Sequence, residues 1–316
     1  MSATAVVFRR SPRRFRFRWT AAVGLVLPLT AGMAASDRGG AFAFDPENIQ
    51  AIVLERDEAD AGRLAALRAL GANTVITHSA PNALTAEAAR RAGLFYIAFL
   101  TTGQIDKASR DPYFRAAIGA LENLVGFYYL DDGVAVEGYT SPESQERAYR
   151  TLKAMFPEKL VLFATRLDLL SIDAGYRDNY FRPQFTDLVT PYFYPVGTTS
   201  FGAVTQDSPW PEQLAPLLAA LSQSMPAGQG VLPVLQGFAP IGYSVNERFL
   251  PEQMEVYRRI WPRLRSAAVY AWEIEVPQPL IALDDLPEVQ FGVCDLFASF
   301  ASPPSRCGRA RRLDWR

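Results

Sequence analysis

The chain has 316 residues, of which 49% are apolar, 12% aromatic and 21% charged. That balance belongs to a globular protein and excludes a disordered, collagen-like or disulfide-scaffold chain. The formal net charge of −1 is unevenly spread, because residues 1–35 hold six arginines (Arg9, Arg10, Arg13, Arg14, Arg16 and Arg18) and no acid. Taking those six from 32 basic residues leaves 26 against 33 acids, an acidic body ill suited to nucleic acid as its main partner.

Scarce residue types exclude more chemistry. There is one histidine, His78, so sites built on two histidines are out. Two cysteines, Cys294 and Cys307, cannot build a four-thiolate zinc or iron–sulfur centre. The three lysines (Lys107, Lys153 and Lys159) do not end apolar runs, where a Schiff-base lysine is expected. No organic cofactor is implied.

Residues 1–35 read as a secretory signal. The arginines form a basic first region, Trp19 to Ala35 is uncharged, and small residues (Ala31 to Ser36) supply a cleavage site. The alternative is an uncleaved anchor, although the stretch is short for a span and contains Pro28. The mature protein is expected to be exported, periplasmic or extracellular, with no membrane span. Export permits a Cys294–Cys307 disulfide, and closing such a loop would contribute about 3 kcal/mol. The alternative is two free thiols.

From residue 49 onward, strand and helix signals alternate eight times. Ile49 to Glu55 is an apolar run, and Ala61 to Leu70 has helical spacing and stops at Gly71. Asn73 to His78 is β-branched, Thr85 to Ala92 is helical with Thr85 as its cap, and Leu94 to Leu100 is a third strand. Asp111-Pro112 opens a helix to Leu121, and Val125 to Leu130 is a fourth strand ending at Asp131-Asp132-Gly133. A helix from Ser141 to about Phe156, a strand from Leu160 to Thr165 and a strand from Asp187 to Tyr194 follow. Trp210 to Ser224 is helical, Val231 to Phe238 is the seventh strand, Pro251 to Trp261 a helix and Ala267 to Glu273 the eighth strand.

These strands are continuous apolar runs, as expected for parallel strands covered on both faces. Eight such units over about 250 residues predict one closed (β/α)8 TIM barrel across residues 45–300, followed by a basic flexible tail over 301–316. A doubly wound open sheet is the alternative, but no Gly-x-Gly-x-x-Gly follows the first strand. In such a barrel the chemistry sits where strands end. Those ends carry Glu55, His78, Asp131, Asp132, Arg166, Tyr192, Tyr194, Gln236, Trp272 and Glu273. Carboxylates, aromatic faces and hydroxyl-binding groups together suit a sugar.

Several segments resemble the (β/α)8 glycoside hydrolases and their secreted relatives. Leu67 to Val75 looks like their helix, Leu-Gly-x-Asn-x-Val, strand segment, and Ala89 to Leu94 like the helix end before their third strand. Gly126-Phe127-Tyr128-Tyr129-Leu130-Asp131-Asp132 resembles their fourth strand, and Tyr192 to Pro195 and Val234 to Phe238 are similar to their sixth and seventh. The resemblance implies that Asp132 is the acid/base carboxylate, with Asp131 its pKa-tuning neighbour. Asp132 stands where Glu is usual and Gly133 where Pro is usual. Gln236 occupies the position at which many such families hold the nucleophile, so the second carboxylate must come from Glu273, Glu275 or Glu55. Glu55, His78, Tyr129, Arg166, Tyr192, Tyr194, Gln236 and Trp272 are then expected to hold the carbohydrate. Two further readings are a carbohydrate-binding barrel without catalysis and a divalent-cation site on Asp131, Asp132 and Glu273.

Overall fold

Runs of β-branched and aromatic residues become strands here because both of their faces are buried. The computed structural model describes residues 43–55, 57–130, 134–135, 138–139, 141–168, 181–199, 202–270 and 280–301. The expected signal segment and nearly all of the basic tail lie outside the described residues, as do Asp131, Asp132, Trp272, Glu273 and Glu275.

Eight strands form the barrel. They are β1 (Gln50–Leu54), β2 (Thr74–Thr77), β3 (Phe95–Phe99), β4 (Leu124–Leu130), β5 (Leu160–Arg166), β6 (Leu188–Tyr192), β7 (Gly230–Val231 continued by Val234–Gln236) and β8 (Ala267–Tyr270). Each pairs in parallel with its neighbours in chain order, β8 returns to β1, and the ring is closed. The structure is thus the (β/α)8 barrel that the alternation predicts. β7 is interrupted at Leu232-Pro233. Proline has no N–H to give to a ladder, although the Pro233 carbonyl still accepts from Ala268 at 2.8 Å.

Eight α-helices with both ends among the described residues lie between or after the strands, two of them between β3 and β4: α1 (Ala61–Ala69), α2 (Ala83–Arg91), α3 (Thr102–Arg110), α4 (Pro112–Gly119), α5 (Pro142–Met155), α6 (Trp210–Ser224), α7 (Phe249–Ile260) and α8 (Pro287–Ala298). Asp60 caps α1 by accepting from the Gly62 and Arg63 amides, and Asp111 and Ser141 cap α4 and α5. Gly71 ends α1 at φ +97°, a left-handed turn that costs glycine little. A Cβ there would lie 3.0 Å from the Phe297 Cβ, so α8 depends on the bare backbone.

Three helical features differ from the spacing-based expectation. The cap of α2 is Asn82, whose side chain accepts from the Thr85 amide, and Thr85 is a buried residue within the first turn. α3 precedes α4 with one residue between them, and its start carries a capping box of Thr101 and Gln104. α8 closes the chain's helical layer with Val289, Val293, Leu296 and Phe297 buried. It also holds Cys294, which is disulfide-bonded. The chain's other cysteine, Cys307, lies outside the described residues.

Strand parity divides the side chains into two layers. Ala51, Val53, Tyr128, Leu162, Ala164, Tyr192 and Ala268 pack inside the barrel. Ile52, Leu54, Phe127, Tyr129, Phe163, Val189 and Val269 face the helices. No helix among the described residues is long and apolar enough to cross a membrane.

One polar cluster ties the ring where the chain enters β6. The Asp187 carboxylate accepts from the Tyr149 hydroxyl at 3.0 Å, from Lys153 Nζ at 3.0 Å and from the Val161 amide at 2.9 Å. It therefore joins α5 to β5 and β6. Burial raises the Tyr149 hydroxyl to about 12, with the neighbouring carboxylate adding to the rise. Asp187→Ala leaves three donors without their acceptor and is expected to lower unfolding stability by about 2–4 kcal/mol. Urea denaturation monitored by tryptophan fluorescence checks this, and a loss below about 0.5 kcal/mol would show the cluster to be incidental.

Candidate functional site at the barrel mouth

The C-terminal end of the barrel interior opens into a pocket. Its lining is Val53, Ile76, His78, Tyr128, Leu162, Ala164, Thr190, Tyr192, Tyr194, Val234 and Tyr270. All come from strands or from residues directly after them, which is why parity can aim them at one place.

An uninterrupted row of aromatic rings crosses this mouth. His78 lies between Tyr128 and Tyr270, with ring centroids 5.6 and 5.7 Å away and planes within 25° of parallel. Tyr270 stacks on Tyr194 at 5.6 Å and 11°, and Tyr194 meets Tyr192 at 5.2 Å. Phe99 extends the row beyond Tyr128 at 5.5 Å, while Phe238 stands edge-on to Tyr194 and Tyr270. Contacts of this kind contribute about 0.5–1.5 kcal/mol each beyond burial, so the row is a stiff surface.

Polar groups punctuate it. The His78 amide donates to the Leu54 carbonyl, which places the imidazole beside the end of β1. There the Glu55 carboxylate lies 3.6 Å from His78 Nδ1, and both side chains are partly exposed. On β6, Thr190 Oγ1 and the Tyr192 hydroxyl are buried and have no hydrogen-bond partner among the described residues. A buried hydroxyl left unmatched costs about 1–3 kcal/mol, so each is an unmet demand in the ligand-free protein.

The other described sequence-derived residues are not among the pocket's lining. Tyr129 faces outward, packs near Phe163 and donates its hydroxyl to the Phe185 carbonyl at 3.1 Å. Burial pushes its phenol well above the usual range. Its neighbour Tyr128 takes the inward place, as alternation along β4 requires. Arg166 ends β5 in a bidentate pair with Asp168, at 2.8 and 2.6 Å. That carboxylate balances its charge.

Gln236 is fully buried, and its amide is spent on backbone. Oε1 accepts from the Val196 amide at 2.9 Å, and Nε2 donates to the Val196 and Phe238 carbonyls at 2.8 and 3.1 Å. The side chain thus staples the segment after β6 to the end of β7. Its own amide is held by Gln253 of α7.

Glu55, His78, Tyr192 and Tyr194 are therefore brought together, whereas Tyr129, Arg166 and Gln236 are committed to other partners. Asp131, Asp132, Trp272 and Glu273 lie outside the described residues, and the cation reading falls on the same residues. Among the described residues no group of three or more His, Cys, Asp or Glu side chains could hold a metal ion. Tyr128, Tyr270, Thr190, Phe99 and Phe238 were not anticipated as mouth residues. The signal for Thr190 was present, since it lies two positions before Tyr192 on one strand.

By sequence, the chain matches no family model and no curated protein. Its fold has counterparts among solved structures. It is similar to a Bacteroides uniformis β-glucuronidase at TM-score 0.52 and 13% identity, covering 81% of this chain and 35% of that one. An FMN-binding β-glucuronidase from Facaelibacterium prausnitzii L2-6 is similar at TM-score 0.53 and 10% identity, covering 80% and 44%. A β-glucuronidase from an uncultured Clostridium species gives 0.52 and 10%, covering 80% and 50%. At these identities the likeness shows a shared (β/α)8 barrel fold alone, and the chain spans between about a third and a half of the length of these proteins.

Replacing Gln236 by Glu puts a carboxylate against two carbonyls that need donors. Gln236→Glu is expected to lose about 3 kcal/mol or more of stability at pH 7 and to create no hydrolytic activity. A variant as stable as wild type, or one that gains turnover, would show that the site tolerates a catalytic carboxylate there.

Proposed function

We propose that the protein is an exported, glycosidase-like barrel that binds a poly- or oligosaccharide at its mouth and cleaves a glycosidic bond there. The observation that carries this reading is the row His78–Tyr270–Tyr194–Tyr192 beside two unmatched hydroxyls. Ring faces receive the C–H surface of a pyranose, and hydroxyls receive its polar edge.

In this reading Asp132 protonates the leaving oxygen. Asp131 beside it raises the energy of the doubly ionised pair, which keeps Asp132 protonated at neutral pH. The second carboxylate is Glu273 or Glu55. Glu55 stands at the end of β1 against His78, so its orientation is already constrained. Trp272 would extend the aromatic surface. The chemistry calls for no organic cofactor or metal, and the secretory segment 1–35 would deliver the protein to the periplasm or beyond.

A second reading is favoured by one feature. The end of β7 offers Gln236, fully used on backbone, where a nucleophile would serve catalysis. A barrel that binds carbohydrate without cleaving it follows if no second carboxylate faces Asp132.

The test is a polysaccharide and aryl-glycoside hydrolysis screen on residues 36–316, run beside Asp132→Asn, with sugar binding measured in parallel. Hydrolysis is expected in the wild type, with a loss of about 10²–10⁴-fold in the variant. Product anomers then report retention or inversion. Equal binding by both proteins without turnover would replace the hydrolase by the binding barrel.

A further inference from the structure

Thr190 and Tyr192 are 3% and 8% exposed, both line the mouth pocket, and neither hydroxyl is partnered among the described residues. They lie two apart on β6 and so share a face. The nearby floor is Val53, Ile76, Leu162 and Val234, which offer no hydrogen-bonding side chain. Buried polar groups are nearly always satisfied in native proteins. Two unmatched hydroxyls on one face of one strand, in one cavity, point to an occupant that brings two polar atoms. Neither oxygen is open to solvent in the ligand-free protein. Meeting the occupant therefore requires the side chains around these two oxygens to move.

Charge narrows the occupant further. Among the described lining residues His78 is the one basic side chain, and its Nδ1 lies 3.6 Å from the Glu55 carboxylate. With the imidazole protonated the pair is neutral. With it unprotonated the mouth carries the charge of Glu55. The nearest strand-end cation, Arg166, stands opposite Tyr192 in the β5–β6 register and is already matched by the Asp168 carboxylate. Neither state therefore leaves an unmatched positive charge in the described lining to offset a bound carboxylate, and a buried anion without such an offset is strongly disfavoured.

We propose that Thr190 and Tyr192 form a two-point subsite for an uncharged ring bearing adjacent hydroxyls, and that this subsite rejects sugar acids. The inference rests on the carbohydrate reading of the mouth and deepens it to a substrate class. It also sets this pocket apart from the β-glucuronidases that share its fold, whose name refers to a sugar acid.

His78, the chain's only histidine, supplies an unambiguous reporter. Its ring C–H signal is followed by NMR in residues 36–316 during titration with four neutral methyl glycosides (of glucose, galactose, mannose and xylose). Glucuronate, galacturonate and cis-1,2-cyclohexanediol are titrated likewise. At least one neutral glycoside is expected to move the signal, and the two uronates are not. Thr190→Val and Tyr192→Phe are each expected to weaken the neutral ligand about tenfold without lowering Tm, because each removes a hydroxyl that has no partner to lose.

Neutral binding unchanged in both variants overturns the subsite and leaves the carbohydrate reading standing. Uronates binding more tightly overturn the charge argument. A fall in Tm with binding intact marks the hydroxyls as structural and overturns the subsite. Binding of cis-1,2-cyclohexanediol alone, lost in both variants, keeps the subsite and removes the carbohydrate reading. A signal that no probe moves overturns the subsite.

Discussion

The pairing of β5 with β6 is the contact on which the rest of the molecule depends. Five parallel register pairs, from Leu162–Leu188 to Arg166–Tyr192, join strands that would otherwise be the two edges of an open sheet. Unpaired edges expose rows of amides and carbonyls, and a ring has none. The seam is reinforced from outside it. Asp187 gathers Tyr149, Lys153 and the Val161 amide, while the Thr186 hydroxyl reaches the Val161 carbonyl at 2.7 Å and Gln229 holds the Thr186 and Asp187 carbonyls. These bonds sit where β5 and β6 begin, so the opposite ends are left for function.

Closure also decides what each side chain can do. Once the sheet is a ring, one parity points to a shared axis and the other to the helices. The interior is narrow and holds mostly small or aliphatic residues below, with Ala51, Val53, Leu162 and Ala268 among them. Towards the strand ends the space is filled by rings, because Tyr128, Tyr192 and Tyr270 occupy inward positions and His78 follows β2. The aromatic row is thus a consequence of parity applied to three strands at once. Its stiffness comes from successive stacking, and its polarity from the few groups between the rings.

The likeness to β-glucuronidase structures, at 10–13% identity, speaks to the barrel and not to a substrate. What distinguishes this mouth is local. A glutamine consumed by backbone stands at the end of β7, a carboxylate faces the single histidine, and the hydroxyls of a threonine–tyrosine pair have no partner among the described residues. The first feature moves any second carboxylate away from β7. The second sets a carboxylate against the described lining's one basic side chain, and the third is the ground for the proposed two-point subsite. The three belong to different strands and become one site only through the ring.

The local sequence settled the strand-and-helix alternation, several caps and the fold class, because apolar runs, Asp111-Pro112, Ser141-Pro142 and Gly71 act through nearest neighbours in the chain. It also marked Glu55, His78, Tyr192 and Tyr194, since strand ends are visible as the points where apolar runs stop. It missed α3, although Thr101 and Gln104 spell its capping box, and α8, whose apolar face is defined by the layer it covers. The Arg166–Asp168 pair is a local contact two residues apart, whereas tertiary structure alone decided that Tyr128 and not Tyr129 enters the mouth and that Gln236 serves backbone. Those outcomes depend on which face of a strand becomes interior and which carbonyls come within reach. Neither is set until the strands have closed on one another, whereas a helix cap needs only the residues beside it.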